Sequence, residues 1–186
     1  MALPTLVAIS GPSGGYGKTT LAHELAQALG CPAICRDEIK EGMVHANPGF
    51  RPGRGDPLTR RTLPAFFGVL ELLVRSGTTV VAEAAFHDRL WRPGLQPLMG
   101  LAHLRIIRCT VAPDVARARN AQRYTANPVR KAAHTTSAHQ HAPGREEDFA
   151  GITLPAPTLL VDTTDGFEPP MPEILSFVDA RPHTQP

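Results

Sequence analysis

The stretch with the clearest chemical potential covers residues 11–20 and reads Gly-Pro-Ser-Gly-Gly-Tyr-Gly-Lys-Thr-Thr. It follows a short apolar run, residues 3–10, and it opens a segment whose leucines and alanines recur at helical spacing. Glycines allow successive backbone N–H groups to converge on a phosphate, and a helix N-terminus adds free donors and a positive dipole. Lys18 would bring a positive charge to the β- and γ-phosphates, and the Thr19 hydroxyl could coordinate Mg²⁺. The pattern therefore predicts a phosphate-binding loop (P-loop) that holds a nucleotide with Mg²⁺.

This loop departs from the usual spacing by one residue. The common pattern is Gly-x-x-x-x-Gly-Lys-Ser/Thr, whereas five residues separate Gly11 from Gly17 here. Either the chain bulges at Gly14 and Gly15, which glycine permits, or the phosphate cradle is altered and the nucleotide affinity is reduced. In both cases we expect the nucleotide contacts to come from consecutive positions, which are Gly14, Gly15, Tyr16, Gly17, Lys18, Thr19 and Thr20.

Two carboxylates come at or just after the ends of later apolar runs. Asp37 follows the second predicted strand, residues 33–36, and Glu83 ends the third. Because the carboxyl ends of parallel strands face one crevice, both side chains should lie near the P-loop. Asp37 is placed to accept the proton of an attacking hydroxyl, although it could also cap its helix. Glu83, together with Thr19, could hold the Mg²⁺ water shell or orient an acceptor, or it could be a buried structural glutamate.

Residues 115–145 contain no acidic side chain but several arginines. Arg119 and Arg123 are four apart in a predicted helix, so they share a face. Phosphoryl transfer builds negative charge on several oxygens, which guanidinium groups stabilise. The stretch that follows, residues 126–157, lacks strong periodicity and is predicted to be a lid. Its histidines are interpreted as polar lid residues rather than zinc ligands; they are His134, His139 and His141.

Apolar runs alternate with helical patterns along the whole chain. This order predicts an α/β fold, a three-layer sandwich in which helices cover both faces of a five-stranded parallel sheet. The 186 residues suit a single domain, residues 1–182, followed by a short tail, residues 183–186. The predicted strands are 3–10, 33–36, 78–82, 104–110 and 158–161, and the predicted helices are 18–29, 37–45, 64–75, 91–101, 113–124 and 171–180.

Composition excludes several classes of protein. No apolar run approaches the roughly 18 residues that a membrane-spanning helix needs. A net charge of only +2 does not by itself argue for a nucleic-acid partner. The odd number of cysteines in apolar contexts indicates no disulfide framework and favours a reducing cytoplasm; they are Cys31, Cys35 and Cys109.

Three segments together resemble the small P-loop kinases related to chloramphenicol phosphotransferase and the zeta-toxin kinases. They read GPSGGYGKTTLAHELAQALG, CRDEIKEGM and VVAEAAF, and the likeness in motif order extends over residues 5–165. The resemblance implies the sheet order 2-3-1-4-5, Asp37 as the base that activates the acceptor hydroxyl, and an adenine site at residues 163–166. It also implies that arginines of the lid region close over ATP, which we assign to Arg119, Arg123 and Arg130.

These features predict a cytoplasmic kinase that transfers the γ-phosphate of Mg·ATP to a small molecule such as a nucleoside, an antibiotic or a sugar. Lys18, Arg119 and Arg123 would stabilise the transferred group, while Asp37, Glu83 and Arg130 would face the acceptor. A polynucleotide 5′-hydroxyl kinase is an alternative, with arginines between residues 51 and 61 on the nucleic-acid backbone. A nucleotide-binding regulatory module without transferase activity is another.

Overall fold

The computed structural model describes residues 3–53, 55–126, 128–134 and 149–180. Within them the strands are β1 (Thr5–Ser10), β2 (Ala33–Cys35), β3 (Val80–Glu83), β4 (His103–Thr110) and β5 (Thr158–Asp162). The helices are α1 (Lys18–Leu29), α2 (Arg36–His45), α3 (Pro57–Arg75), α4 (Asp88–Leu95), α5 (Pro113–Ala126), α6 (Pro128–Ala133) and α7 (Met171–Asp179), and a short 3₁₀ turn, Gln96–Leu98, follows α4.

The five strands form one parallel sheet in the order β2-β3-β1-β4-β5, which confirms the order implied by the resemblance. Strand β1 lies at the centre, where Ile9 is in register with Glu83 of β3 and with Ile107 of β4. Every strand therefore ends at the same edge of the sheet. The P-loop, the start of α2 and the segment after β3 all leave from that edge.

Each face of the sheet carries its own apolar core, because side chains along a strand alternate between the two faces. Leu6 and Ala8 of β1 pack on one side with residues of α3 and α4, among them Phe66 and Trp91. Val7 and Ile9 pack on the other side with residues of α1 and α7. The central strand is thus buried on both faces, and it holds the start of the P-loop rigidly.

The prediction that the third helix begins at Pro64 is wrong, since α3 begins at Pro57. Asp56 is its N-cap and accepts a hydrogen bond from the backbone N–H of Thr59 at 2.7 Å. The same carboxylate is paired with Lys40 of α2 at 2.8 Å, and both side chains are almost fully buried. Burial alone would raise the pKa of Asp56, but the bonds from Lys40, Thr59 and the backbone of Gly53 lower it to about 2.

Two other helices differ clearly from the sequence prediction. Helix α4 begins at Asp88 instead of residue 91, with Asp88 paired to Arg92 one turn later. Helix α6 lies inside the segment whose sequence showed no periodicity. Its six residues are too few to produce a recognisable helical pattern. No helix in the described ranges is long and apolar enough to cross a membrane.

Candidate active site

The loop between β1 and α1 depends on glycines in left-handed backbone conformations. Gly17 is the N-cap of α1 with φ of 67°, while Gly14 and Gly15 have φ values of 82° and 77°. L-residues with a side chain avoid this region, and glycine enters it freely. The consecutive left-handed pair lies at Gly14 and Gly15, the positions of the bulge that was one of the two alternatives for the extra residue.

The same glycines let the loop pack tightly on two neighbouring elements. A Cβ atom at Gly15 would lie 2.1 Å from the carbonyl oxygen of Ala116 in α5. One at Gly17 would lie 2.8 Å from the hydroxyl oxygen of Thr163, just after β5. The loop is therefore seated against α5 and against the turn that follows β5.

Tyr16 projects into an apolar contact rather than into solvent. Its side chain is 6% exposed and packs with Val111 and Ala116 at the start of α5. Its ring also borders the small cavity described below, with its centre 5.9 Å from the Lys18 ammonium. The bulk of the ring is thus accommodated mainly by the α5 side of the loop.

Lys18 is held across the loop. Its side chain is buried, and Nζ donates a hydrogen bond to the carbonyl oxygen of Pro12 at 2.6 Å. A lysine amine so placed faces the first half of the loop, where the phosphates of a nucleotide are expected.

Thr19 and Glu83 lie side by side, as the sequence predicted. The Thr19 hydroxyl donates to Oε2 of Glu83 at 3.2 Å, and Glu83 is 5% exposed. Burial raises the pKa of Glu83, the nearby negative charge of Asp37 adds to the effect, and the positive charge of Lys18 opposes it. A hydroxyl and a carboxylate are the hard oxygen ligands that Mg²⁺ prefers, and a cation there would favour the ionised carboxylate. The pair therefore fits a Mg²⁺ ion.

Asp37 lies in the first turn of α2, but it does not cap the helix, since the N-cap is Cys35. Its Oδ1 accepts from Arg36 at 2.9 Å and its Oδ2 accepts from Arg130 at 3.2 Å. Burial by itself would raise the pKa of Asp37, but the charges of His134, Arg36 and Arg130 hold it well below its usual range. The side chain is one-third exposed, so an ionised carboxylate faces the cavity.

Arg130 brings the start of the predicted lid onto α2. Besides Asp37, its guanidinium contacts Oε1 of Glu41 at 3.1 Å, and Nε2 of His134 lies 3.4 Å from the same oxygen. Of the predicted lid, the structure describes residues 128–134 and 149–157; His139 and His141 lie outside the described residues, as does the tail.

Arg119 and Arg123 lie on one helix but serve different places. Arg119 donates to the hydroxyl of Thr163 at 3.3 Å and to the carbonyl oxygen of Thr164 at 3.1 Å. Arg123 borders two cavities at once, and burial lowers the pKa of its guanidinium, with the charge of Arg130 adding to the effect. Arg119 is thus directed at the turn after β5, and Arg123 at the junction of the cavities.

A small polar cavity of about 50 Å³ collects most of the predicted site. It adjoins a larger cavity of about 590 Å³, which is within the usual size range for a small-molecule site. The small cavity is bordered by Ser13, Gly14, Tyr16, Lys18, Thr19, Asp37, Glu83, Ala85, Asn120, Arg123, Arg130 and His134. The larger is bordered by Gly15, Gly17, Thr20, Glu24, Arg119, Gln122, Arg123, Thr163, Gly166 and Phe167.

Several residues at the site were not predicted as site residues, and three of them make informative contacts. Asn120 is 5% exposed and faces Gly14, where a Cβ atom would lie 3.1 Å from its amide. Glu41 binds Arg130, and Phe167 borders the larger cavity. Asn120 follows Arg119 directly in the chain, but an isolated asparagine carries no pattern that would have marked it.

Comparison with protein families agrees with this geometry. Residues 6–143 match the AAA_33 family model, which is described as an AAA domain. The chain belongs to this AAA-domain family. No curated protein matches the chain significantly.

Solved structures share the P-loop kinase-like fold. A candidate kinase from Chloroflexus aurantiacus is 23% identical, with a TM-score of 0.80 over 95% of this chain and 97% of its own. A sugar kinase from Janibacter sp. is 18% identical, with a TM-score of 0.64 over 95% of each chain. The APS kinase of Mycobacterium tuberculosis, solved with AMPPNP and APS, is 18% identical with a TM-score of 0.58 over 97% of this chain and 100% of its own. At these identities the likeness establishes the fold.

Proposed function

We propose that the protein is a kinase that transfers the γ-phosphoryl group of Mg·ATP to a hydroxyl of a small molecule. The observation that carries the proposal is the shared small cavity, in which the P-loop lysine, the Thr19–Glu83 pair, Asp37 and Arg123 converge. Kinase names among structures with this fold support the reaction class. Among the arginines of residues 51–61, Arg51, Arg60 and Arg61 are exposed and border neither cavity, while Arg54 lies outside the described residues.

The nucleotide would lie along both cavities. The base and ribose occupy the larger one, near Arg119 and the turn at Thr163, and the phosphates pass over the left-handed glycines to Lys18. The γ-phosphate would then lie in the small cavity, next to Arg123, which borders both cavities. Lys18 exchanges its bond to Pro12 for bonds to phosphate oxygens, which costs little because one acceptor replaces another.

Catalysis in this arrangement is mostly positioning and charge stabilisation. The ionised Asp37 orients the acceptor hydroxyl and takes its proton as the oxygen forms a bond to the γ-phosphorus. The bond between the γ-phosphorus and the bridging oxygen breaks, and ADP leaves with that oxygen. Lys18 and Arg123 stabilise the charge on the transferred group. Mg²⁺, held by Thr19 and Glu83, would neutralise phosphate charge when bound.

The position of Arg130 suggests how the acceptor side is kept closed. Its guanidinium contacts both Asp37 and Glu41, so the hydroxyl of an acceptor must share or displace that contact to reach Asp37. While still in contact with Glu41, Arg130 would then turn toward a polar group of the acceptor or toward the transferred phosphate.

The test is ADP formation from Mg·ATP with a panel of nucleosides, antibiotics, sugars and a 5′-hydroxyl oligonucleotide. We expect acceptor-dependent ADP from at least one small molecule, and a loss of about 10²- to 10⁴-fold in kcat for Asp37→Asn, because a general base contributes that much. ATP affinity should stay unchanged. Glu71→Gln is the matched control, since Glu71 is a half-exposed carboxylate of α3 that pairs with Arg75 and borders neither cavity.

Each alternative has its own result. Normal turnover by Asp37→Asn would remove Asp37 from the role of base. Nucleotide binding without any acceptor-dependent ADP would favour a regulatory module. Turnover with the oligonucleotide alone, with binding that weakens steeply with salt, would favour a polynucleotide kinase.

A further inference from the structure

A compact group of possible metal ligands lies where α1 passes the start of α2. His23 comes from the middle of α1, Cys35 ends β2, and Glu38 lies in the first turn of α2. One ligand atom from each residue lies within 4.8 Å of the other two. None of these residues borders either cavity of the candidate active site.

The ligand atoms of Glu38 and Cys35 both lie near the same imidazole nitrogen of His23. Nε2 of His23 lies 2.7 Å from Oε1 of Glu38 and 3.9 Å from Sγ of Cys35. In a tetrahedral Zn²⁺ site with metal–ligand distances of about 2.0–2.3 Å, neighbouring ligand atoms lie about 3.3–3.7 Å apart. The observed separations fall on both sides of that range, so the distance from His23 to Glu38 must lengthen and the distance from His23 to Cys35 must shorten when an ion binds.

The donor set differs from that of the Mg²⁺ pair in the active site. Imidazole nitrogen with thiolate sulfur is typical of Zn²⁺ and related transition metals, whereas Mg²⁺ takes oxygen ligands. The Cys35 side chain is buried, and the side chains of His23 and Glu38 are 51% and 46% exposed. An ion can therefore enter from solvent, coordinate the buried sulfur and keep a water molecule as its fourth ligand.

The Cys35 thiol is protonated before an ion binds. Burial raises the pKa of the Cys35 thiol, and the negative charges of Glu83, Glu38 and Asp37 raise it further. Binding replaces the thiol proton with the metal, and the proton passes to solvent.

We propose that His23, Cys35 and Glu38 form a three-ligand site for Zn²⁺ or a similar divalent transition metal, which ties α1 to the first turn of α2. The proposal does not depend on the kinase assignment, because the site and its test require no turnover.

Co²⁺ titration of the purified, metal-free full chain is the direct test. We expect a thiolate-to-cobalt charge-transfer band, visible bands typical of four-coordinate Co²⁺, release of one proton per ion, and displacement by Zn²⁺. Cys35→Ser should abolish the charge-transfer band. Cys31→Ser is the matched control and should leave it unchanged, since Cys31 lies outside the ligand group.

A second variant covers the case in which Cys35→Ser fails to fold. His23→Gln changes a half-exposed side chain, and it should weaken Co²⁺ binding at least tenfold. Zn²⁺ should raise the melting temperature of the wild type but not that of His23→Gln, because a ligand stabilises only the state that binds it. Absence of the charge-transfer band in the wild type, its persistence in Cys35→Ser, or equal affinity in His23→Gln would overturn the proposal.

Discussion

Replacing Gly15 with alanine should disable the P-loop more severely than any other single methyl addition to it. The new Cβ atom would lie 2.1 Å from the carbonyl oxygen of Ala116 and 2.8 Å from its carbonyl carbon, against an ordinary contact of 3.4 Å or more. These atoms belong to the backbone of α5, which cannot rotate away as a side chain could. The loop itself must therefore move by more than 1 Å.

The cost has two parts. A side chain in the left-handed conformation at Gly15 costs about 1–2 kcal/mol. Forcing an extra carbon into a packed contact costs about 1–3 kcal/mol more. If the loop relieves this strain of about 2–5 kcal/mol by leaving its binding conformation, Mg·ATP affinity falls by about 30-fold or more, since about 1.4 kcal/mol corresponds to a factor of ten.

Calorimetric titration with Mg·AMPPNP, together with thermal unfolding, measures both consequences. Gly30→Ala is the control, because Gly30 is also left-handed (φ 66°) but has open space around its Cβ position at the end of α1. It should lose some stability and no nucleotide affinity. Wild-type affinity in Gly15→Ala, or an equal loss in Gly30→Ala, would refute the account of how this loop is built.

Three further predictions follow from the charged and polar groups. The pKa of Asp56 is about 2 in the folded protein against an ordinary value of 3.8, so at low pH the folded state binds fewer protons than the unfolded state. Ionised Asp56 should therefore add about 2 kcal/mol to the free energy of unfolding above pH 4, and this contribution should be lost as the pH falls through 2. Denaturant titrations at pH 5 and pH 2 should show a smaller loss of that free energy in Asp56→Asn than in the wild type. Lys40→Met should lower the free energy of unfolding by about 3–5 kcal/mol, because it leaves a buried charge unpaired. Thr19→Val should raise the Mg²⁺ concentration needed for half-maximal turnover while leaving Mg²⁺-free nucleotide binding intact; an unchanged Mg²⁺ requirement would remove Thr19 from the metal site. Arg119→Ala should raise the KM for ATP with little change in kcat, whereas Arg123→Ala should mainly lower kcat, and identical kinetic effects would contradict the separate positions of the two guanidinium groups.

Much of the fold could be predicted because it rests on local patterns. Strand β1 is a short apolar run, and α1 shows helical spacing directly after the glycines. The start of α3 was missed because Asp56 ends a Gly- and Pro-rich stretch, although Asp56 followed by Pro57 is a local pattern for an N-cap and a first helical residue. The pairing of Asp56 with Lys40 of α2 is the part that pattern alone does not reveal.

The candidate site also has a part that local patterns predict and a part that depends on long-range packing. Lys18, Thr19 and Glu83 were placed together because parallel strands end at one edge of a sheet. The contact between Arg130 and Asp37 joins residues 93 positions apart, and no local signal encodes such a pairing. Asn120 enters the site through close approach of α5 to Gly14, which only the packed structure reveals.

A crystal structure with Mg·AMPPNP would show where the nucleotide binds. We expect the γ-phosphate in the small cavity, with Lys18 moved from the Pro12 carbonyl onto phosphate oxygens, Arg123 beside the γ-phosphate and the metal ion at Thr19 and Glu83. A nucleotide bound elsewhere, with Lys18 still bonded to Pro12, would rule out this site.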